Sequence, residues 1–178
     1  MINSQIFYIE NFIDIENLTT INNWIKKNTP EKDLSGNTPF EYFCLHKSND
    51  FEATNALNEL QIKLYKTIKK TFLVNIYKEN TANIMIYKTG DFLPEHIDNM
   101  NEQKILTPTG YGSRDISSTI YFNDNYLGGE ICFPKQDLKI KPSAGSVVMF
   151  PSHDSYPHLV FPVLSGVRYS ATNFWCID

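Results

Sequence analysis

The chain has 178 residues, 42% of them hydrophobic and 13% aromatic, with 20 acidic and 16 basic side chains giving a formal net charge of −4. That length suits a single domain with a sizeable core, and the apolar and aromatic content excludes a disordered chain. The acidic balance argues against broad binding to phosphate backbones, so no nucleic-acid partner is expected. No apolar run approaches the roughly 20 residues of a membrane span, so no membrane partner is expected either.

The start, Met1-Ile2-Asn3-Ser4-Gln5, lacks the charged head and apolar body of a secretory signal. Three cysteines (Cys44, Cys132, Cys176) are scattered, without metal-type spacing. They read as reduced thiols and point to a cytoplasmic location.

In chain order, residues 6–12 read as a short edge strand. Asp14 is placed to cap a helix whose Ile15, Leu18, Ile21, Trp24 and Ile25 share one stripe, ending at Asn28-Thr29-Pro30. Residues 31–39 are polar with Gly and Pro and read as a loop, followed by a strand through residues 42–45. A second helix over residues 50–72 is signalled by Leu57, Leu60, Leu64, Ile68 and Phe72 at three- and four-residue steps. Both helices read as buttresses on one face of a sheet.

From residue 83 the pattern changes to short strands with turn punctuation. Strands are expected at 83–87, 93–98, 117–123, 129–134, 138–140, 146–151, 158–161 and 168–175. Eight short strands in two apolar-lined layers predict a double-stranded β-helix, or jelly roll, within a mainly β fold flanked by helices. The chain is thus one domain, with 1–82 as a helical buttress with edge strands and 83–178 as the jelly-roll core. The exception is residues 99–115, a long polar stretch holding Gly110, Gly112 and Thr107-Pro108-Thr109. Loops of that length in compact domains are usually functional or mobile.

Chemistry concentrates at two places. His96 and Asp98 stand two apart on an expected strand, so their side chains share a face. Some sixty residues later His158 completes a set of two imidazoles and one carboxylate. That set is the facial triad of non-haem Fe(II) sites, which leaves three coordination positions open. An isolated His-x-Asp is a weak signal. The second place strengthens it: Arg168 follows His158 by ten residues, with Gly166 between them permitting a tight reversal. Arg168 and Ser170 share a face, and a planar guanidinium beside a hydroxyl suits a carboxylate.

In order and spacing, Tyr87-x-x-Gly90 leading to His96-Ile97-Asp98, then Ser118-Thr119-Ile120-Tyr121-Phe122-Asn123, Gly128-Gly129-Glu130-Ile131-Cys132-Phe133-Pro134, Lys141-Pro142-Ser143-Ala144-Gly145, Phe150-Pro151 and the run from His158 to Arg168 form one set. Through them the chain resembles the Fe(II)- and 2-oxoglutarate-dependent dioxygenases, in their prolyl 4-hydroxylase-like branch. The resemblance spans about residues 83–175. It implies a jelly roll with His96, Asp98 and His158 as catalytic metal ligands on Fe(II). It implies Arg168 on the distal carboxylate of 2-oxoglutarate, helped by Tyr87, Thr119 and Ser170, with O2 as the other co-substrate and ascorbate as a supporting reductant. The implied reaction is hydroxylation of prolyl residues in a peptide or protein, releasing succinate and CO2. Oxidation of a free amino acid or another small molecule is the alternative.

The chain departs from the family pattern in three ways. Arg168 stands where collagen-type members carry Lys, and Phe174, followed by Trp175, stands where a Trp is usual. Residues 99–115 carry no family motif. Within that stretch Tyr111 and Arg114 are the expected substrate contacts, the first an aromatic surface for a Pro ring and the second a donor for peptide carbonyls. His153 competes with His158 as third ligand; the ten-residue step to Arg168 favours His158. His46 has no metal-like spacing and reads as structural or surface.

Overall fold

The computed structural model describes residues 5–32, 40–80, 83–99 and 114–177. Fourteen strands and two α-helices are present among them. In chain order they are β1 (Phe7–Ile9), α1 (Ile15–Lys27), β2 (Glu31–Lys32), β3 (Glu41–Phe43), α2 (Phe51–Phe72), β4 (Ile76–Asn80), β5 (Ile84–Tyr87), β6 (Leu93–His96), β7 (Ile116–Tyr121), β8 (Leu127–Gly128), β9 (Ile131–Phe133), β10 (Leu138–Ile140), β11 (Val147–Pro151), β12 (His158–Val160), β13 (Val163–Ser165) and β14 (Arg168–Ile177).

Both helices form where their apolar stripes predict, except that Ile15, expected on the α1 stripe, is 74% exposed. Leu18, Ile21, Trp24 and Ile25 are the buried face of α1, and Ala53, Ala56, Leu57, Leu60, Leu64, Ile68 and Phe72 that of α2. Their starts differ. Asp50 caps α2, accepting the Ala53 N–H at 3.0 Å. Asp14 precedes α1 without a side-chain capping bond. Its carboxylate instead pairs with Lys63 of α2 at 3.1 Å, because a charged partner on the neighbouring helix outcompetes the local amides.

The larger sheet runs β1-β11-β7-β14-β5-β3-β2, with β4 also on β14, and the smaller runs β10-β9-β12-β6. β8 and β13 form a separate two-stranded ribbon. The long β14 pairs with β5 through Arg168↔Tyr87 to Ser170↔Met85, then with β4 from Phe174↔Asn80 onward. Neither β4 nor the ribbon was expected from the sequence. Residues 76–80 are mostly polar, and only the exposed edge of β14 makes them a strand. β8 and β13 are too short to show a period.

Period-two alternation splits the central strands between two cores. Ile116, Ile120, Val147, Met149, Ala171, Trp175 and Ile177 face α1 and α2 in one buried cluster. Tyr121, Val148 and Phe150 face the other way, and pack with Ile131, Phe133, Ile140 and Tyr156 between the two sheets. The helices thus cover the outside of the larger sheet, while the space between the sheets is left to the site.

Candidate metal and co-substrate site

β6 and β12 pair so that His158 lies directly opposite His96. Their rings stand 4.3 Å apart between centroids. The strand ends at His96, two residues short of the expected boundary, and Asp98 sits in the turn that follows. From there its carboxylate swings inward: Oδ1 lies 3.3 Å from His96 Nε2, and Oδ2 lies 3.5 Å from His158 Nε2. One ligand atom from each of His96, Asp98 and His158 falls within 4.8 Å of the others, the single such cluster among the described residues. Asp98 and His158 are buried, at 7% and 6% side-chain exposure, whereas His96 keeps 30%.

The tautomers follow from the second nitrogen of each ring. His96 Nδ1 meets the Pro94 carbonyl at 2.8 Å, and His158 Nδ1 meets the Tyr156 carbonyl at 3.2 Å. A carbonyl only accepts, so each Nδ1 donates, and in the neutral ring each Nε2 carries the lone pair on the Asp98 side. Two imidazole lone pairs and a carboxylate converging on one point call for a cation between them, and backbone carbonyls holding the far side of metal-binding imidazoles are a usual arrangement. The residues fit an Fe(II) centre.

Titration follows the same geometry. Burial pushes the Asp98 carboxyl up, but the His96 contact, the charges of His158 and His96 and the Ser117 hydroxyl together outweigh it and hold it at about 2. Burial pushes His96 down, and the hydrogen bond and charge of Asp98 more than reverse this, leaving it raised. Burial dominates at His158, walled by Phe150 at 4.7 Å and Phe133 at 5.6 Å, and lowers it, favouring the neutral imidazole a metal requires.

The interior faces of β7 and β14 lead away from this cluster. On β7 the residues are Ser117, Thr119 and Tyr121; on β14 they are Phe174, Thr172, Ser170 and Arg168, read from the metal end. Thr119 sits midway, its hydroxyl 3.0 Å from that of Thr172. Arg168 is 1% exposed and donates from Nη1 to Ser170 Oγ at 3.0 Å. Its guanidinium lies 4.5 Å from the Tyr87 ring centre and 5.0 Å from that of Tyr121. Gly129 makes this close fit possible: a Cβ there would stand 3.1 Å from both Arg168 Cδ and the Tyr126 ring.

The buried hydroxyls of Tyr121 and Tyr126 and the Arg168 Nε have no hydrogen-bond partner of good geometry. Both phenols still lie close enough to feel the guanidinium charge, although burial pushes their titration upward. Buried donors left in this way are costly unless something accepts from them. A carboxylate does, so the residues fit the distal end of 2-oxoglutarate.

Tyr87 and Ser170 lie against Arg168, and Thr119 lies on the same interior face between them and the cluster. Tyr121 and Tyr126 were not singled out in the sequence, although Tyr121 follows Thr119 by two on the same strand face. Phe174 takes the interior position next to the metal end, and the Arg114 guanidinium stacks on it at 4.0 Å. Trp175 faces the helices instead, donating to Ser118 Oγ at 2.8 Å. Tyr111 and most of residues 99–115 lie outside the described residues. His153 sits beside Asp154 and Tyr156, away from the cluster, and His46 is exposed.

A profile of the 2OG-Fe(II) oxygenase superfamily matches residues 82–176. The chain belongs to that superfamily, whose chemistry uses Fe(II), 2-oxoglutarate and O2. Human prolyl 3-hydroxylase 2 is 36% identical over 76 residues, covering 40% of this chain and 11% of that protein. Human prolyl 3-hydroxylase 1 is 31% identical over 98 residues, covering 49% of this chain and 13% of that protein. The chain thus spans only a small part of these relatives.

Among solved structures, a prolyl hydroxylase from Trichoplax adhaerens, in complex with a hypoxia inducible factor peptide fragment, superposes with a TM-score of 0.73 at 20% identity, over 96% of this chain and 83% of that one. The viral collagen prolyl hydroxylase of Paramecium Bursaria Chlorella virus-1, as a 2-oxoglutarate complex, gives 0.69 at 20% identity over 97% and 95%. A Pseudomonas putida prolyl-4-hydroxylase gives 0.72 at 15% identity over 99% and 94%. At these identities the likeness establishes a shared jelly-roll fold. Among the described residues no helix is long and apolar enough to cross a membrane.

Proposed function

We propose that this chain hydroxylates prolyl residues of a peptide or protein, with His96, Asp98 and His158 holding Fe(II) and Arg168 holding the distal carboxylate of 2-oxoglutarate. The carrying observation is the pairing, inside one barrel, of a converging His-Asp-His cluster with a donor-rich pocket whose Tyr121 and Tyr126 hydroxyls and Arg168 Nε have no protein acceptor. Fe(II) supplies the centre at which O2 oxidises 2-oxoglutarate to succinate and CO2, one oxygen atom of O2 entering succinate and the other the substrate C–H bond. The chain's own residues set the geometry. Arg168 fixes one end of the dicarboxylate, Tyr87 and Tyr121 wall it, Ser170 steadies the guanidinium, and Thr119 lines the passage between clamp and metal.

At the metal end, Phe174 and Arg114 offer an aromatic ring capped by a guanidinium, next to the 30% exposed His96. A pyrrolidine ring suits the aromatic face, and the guanidinium suits a peptide carbonyl. The names of the relatives support a prolyl substrate. Arg114 also favours a second reading, since a guanidinium at the mouth is a partner for the carboxylate of a free amino acid.

The test incubates the protein with Fe(II), 2-oxoglutarate and ascorbate, the last as supporting reductant, and offers Pro-containing peptides or free amino acids. A gain of one oxygen on a peptidyl proline, matched by succinate, is expected. Oxygen gain on free amino acids alone would select the second reading. Arg114→Ala is expected to weaken substrate-coupled turnover several-fold and leave slow uncoupled consumption of 2-oxoglutarate in place.

A further inference from the structure

Two buried hydroxyls beside the metal cluster have no part in the chemistry proposed above. Ser117 Oγ lies 2.6 Å from Asp98 Oδ2 and 2.7 Å from Ser152 Oγ. The two serines are 0% and 1% exposed. Antiparallel pairing of β7 with β11 brings them together, since Ser117 lies opposite Phe150 and Ser152 follows the last paired residue, Pro151. An ionised carboxylate can only accept, so Ser117 donates to Asp98. That donation uses its one hydrogen, so the bond between the serines runs from Ser152 to Ser117. The backbone around Ser152 is held as well: its N–H donates to the Asp115 carbonyl at 2.9 Å, and its own carbonyl accepts the N–H of Asn99, the residue after Asp98, at 3.1 Å.

The result is an unsymmetrical carboxylate. Each oxygen faces an imidazole, Oδ1 that of His96 at 3.3 Å and Oδ2 that of His158 at 3.5 Å, but Oδ2 alone has given a lone-pair direction and some of its basicity to a short, buried hydrogen bond. We infer that Ser117, backed by Ser152, is a positioning residue that turns Asp98 so that Oδ1 alone ligates the metal. Two imidazoles and a one-oxygen carboxylate occupy three positions of an octahedral ion. A carboxylate gripping through both oxygens would take a fourth, leaving too few for a keto acid bound at two points together with O2. Ser117 thereby keeps the coordination sphere open.

This inference rests on the proposed triad, and the test separates the two. Metal-free protein is titrated with Mn(II) by calorimetry and with Co(II) by visible absorption, whose intensity reports coordination number. Asp98→Ala serves as reference: wild-type affinity unchanged in that variant would overturn the triad itself. With the reference behaving as expected, Ser117→Ala is expected to lose about ten-fold or more in affinity, the range seen when such supporting partners are removed. Its Co(II) spectrum is expected to change. Ser117→Thr, which restores the hydroxyl, is expected to recover most of both, and Ser152→Ala to lose several-fold. Thermal unfolding of the metal-free variants reads any loss of folding separately, and Ser152→Ala carries the test if the Ser117 variant proves unstable. A folded Ser117→Ala with wild-type affinity and spectrum would overturn the positioning role, as would a folded Ser117→Thr that binds no better than the alanine variant.

Discussion

The two ends of the interior face shared by β7 and β14 are electrical opposites. At the mouth, His96, His158 and Asp98 bring lone pairs together, because Pro94 and Tyr156 carbonyls take up the donating nitrogens. At the far end, the Arg168 Nε and the Tyr121 and Tyr126 hydroxyls are buried donors without a protein partner. On the proposed reading a cation would complete one end and an anion the other, with one dicarboxylic keto acid reaching from the metal to the clamp. The mouth is an all-or-nothing device, since three ligands share one ion. The clamp is graded, since several groups share one carboxylate.

That contrast is broken or sharpened by substitution. The largest effect is expected at the mouth: His96→Ala, Asp98→Ala and His158→Ala each abolish Fe(II)-dependent succinate formation, followed by mass spectrometry of the products. Retention of substantial turnover in any of them would remove the all-or-nothing character. At the clamp, Arg168→Ala is expected to raise the 2-oxoglutarate requirement about ten- to a hundred-fold, the value of a charge-assisted pair worth ~1.5–3 kcal/mol. Arg168→Lys is expected to fall between, keeping charge and losing the planar fork. An unchanged requirement for 2-oxoglutarate in the alanine variant would show that the carboxylate is held elsewhere.

Acid offers a third probe, of the mouth alone. The Asp98 carboxyl sits at about 2 in the fold against an ordinary 3.8. A depressed carboxyl stabilises the fold above its unfolded pKa, so this contribution is intact above about pH 4 and lost as the pH falls towards 2. It amounts to about 2 kcal/mol. His158, pushed down, weakens the fold as the pH falls below the ordinary histidine range, whereas His96, pushed up, strengthens it there. Glu41 is also held below its ordinary value, by Lys88, so on the limb below about pH 4 Asp98 is read from the difference between wild type and Asp98→Asn. Denaturant unfolding of the metal-free protein is expected to be steeper in pH there for wild type than for Asp98→Asn, and equal slopes would refute the assignment. The smallest effect is expected of His153→Ala, near wild-type activity, because its ring stands against Tyr156 and Asp154 outside the cluster.

How much of this could be read from the residues depended on whether a signal was local. The α2 stripe and the Arg168–Ser170 step are short-range periodicities, and the structure places those side chains on the expected faces; the His-x-Asp pair converges as expected, but from a strand end and a turn instead of one strand face. β4 escaped notice because Ile76 to Asn80 form a strand only where β14 extends to meet them. Ser117, Ser152 and Tyr126 escaped for a related reason. A serine or tyrosine in a strand resembles filler until cross-strand register sets it against a particular carboxylate or guanidinium. Asp98 was expected at the end of a strand and lies in a turn, which is what lets it reach Ser117.

The opposition of His96 and His158 across β6 and β12 has a consequence for how the protein is made. Their strands are far apart in the chain, and the loop between them closes only when the smaller sheet assembles, late and slowly by the usual dependence on contact distance. A nascent or partly refolded chain is therefore expected to hold these three side chains apart and to bind metal weakly. Loading follows closure and then resists reopening, so added metal is expected to slow unfolding while leaving the rate of refolding largely unchanged.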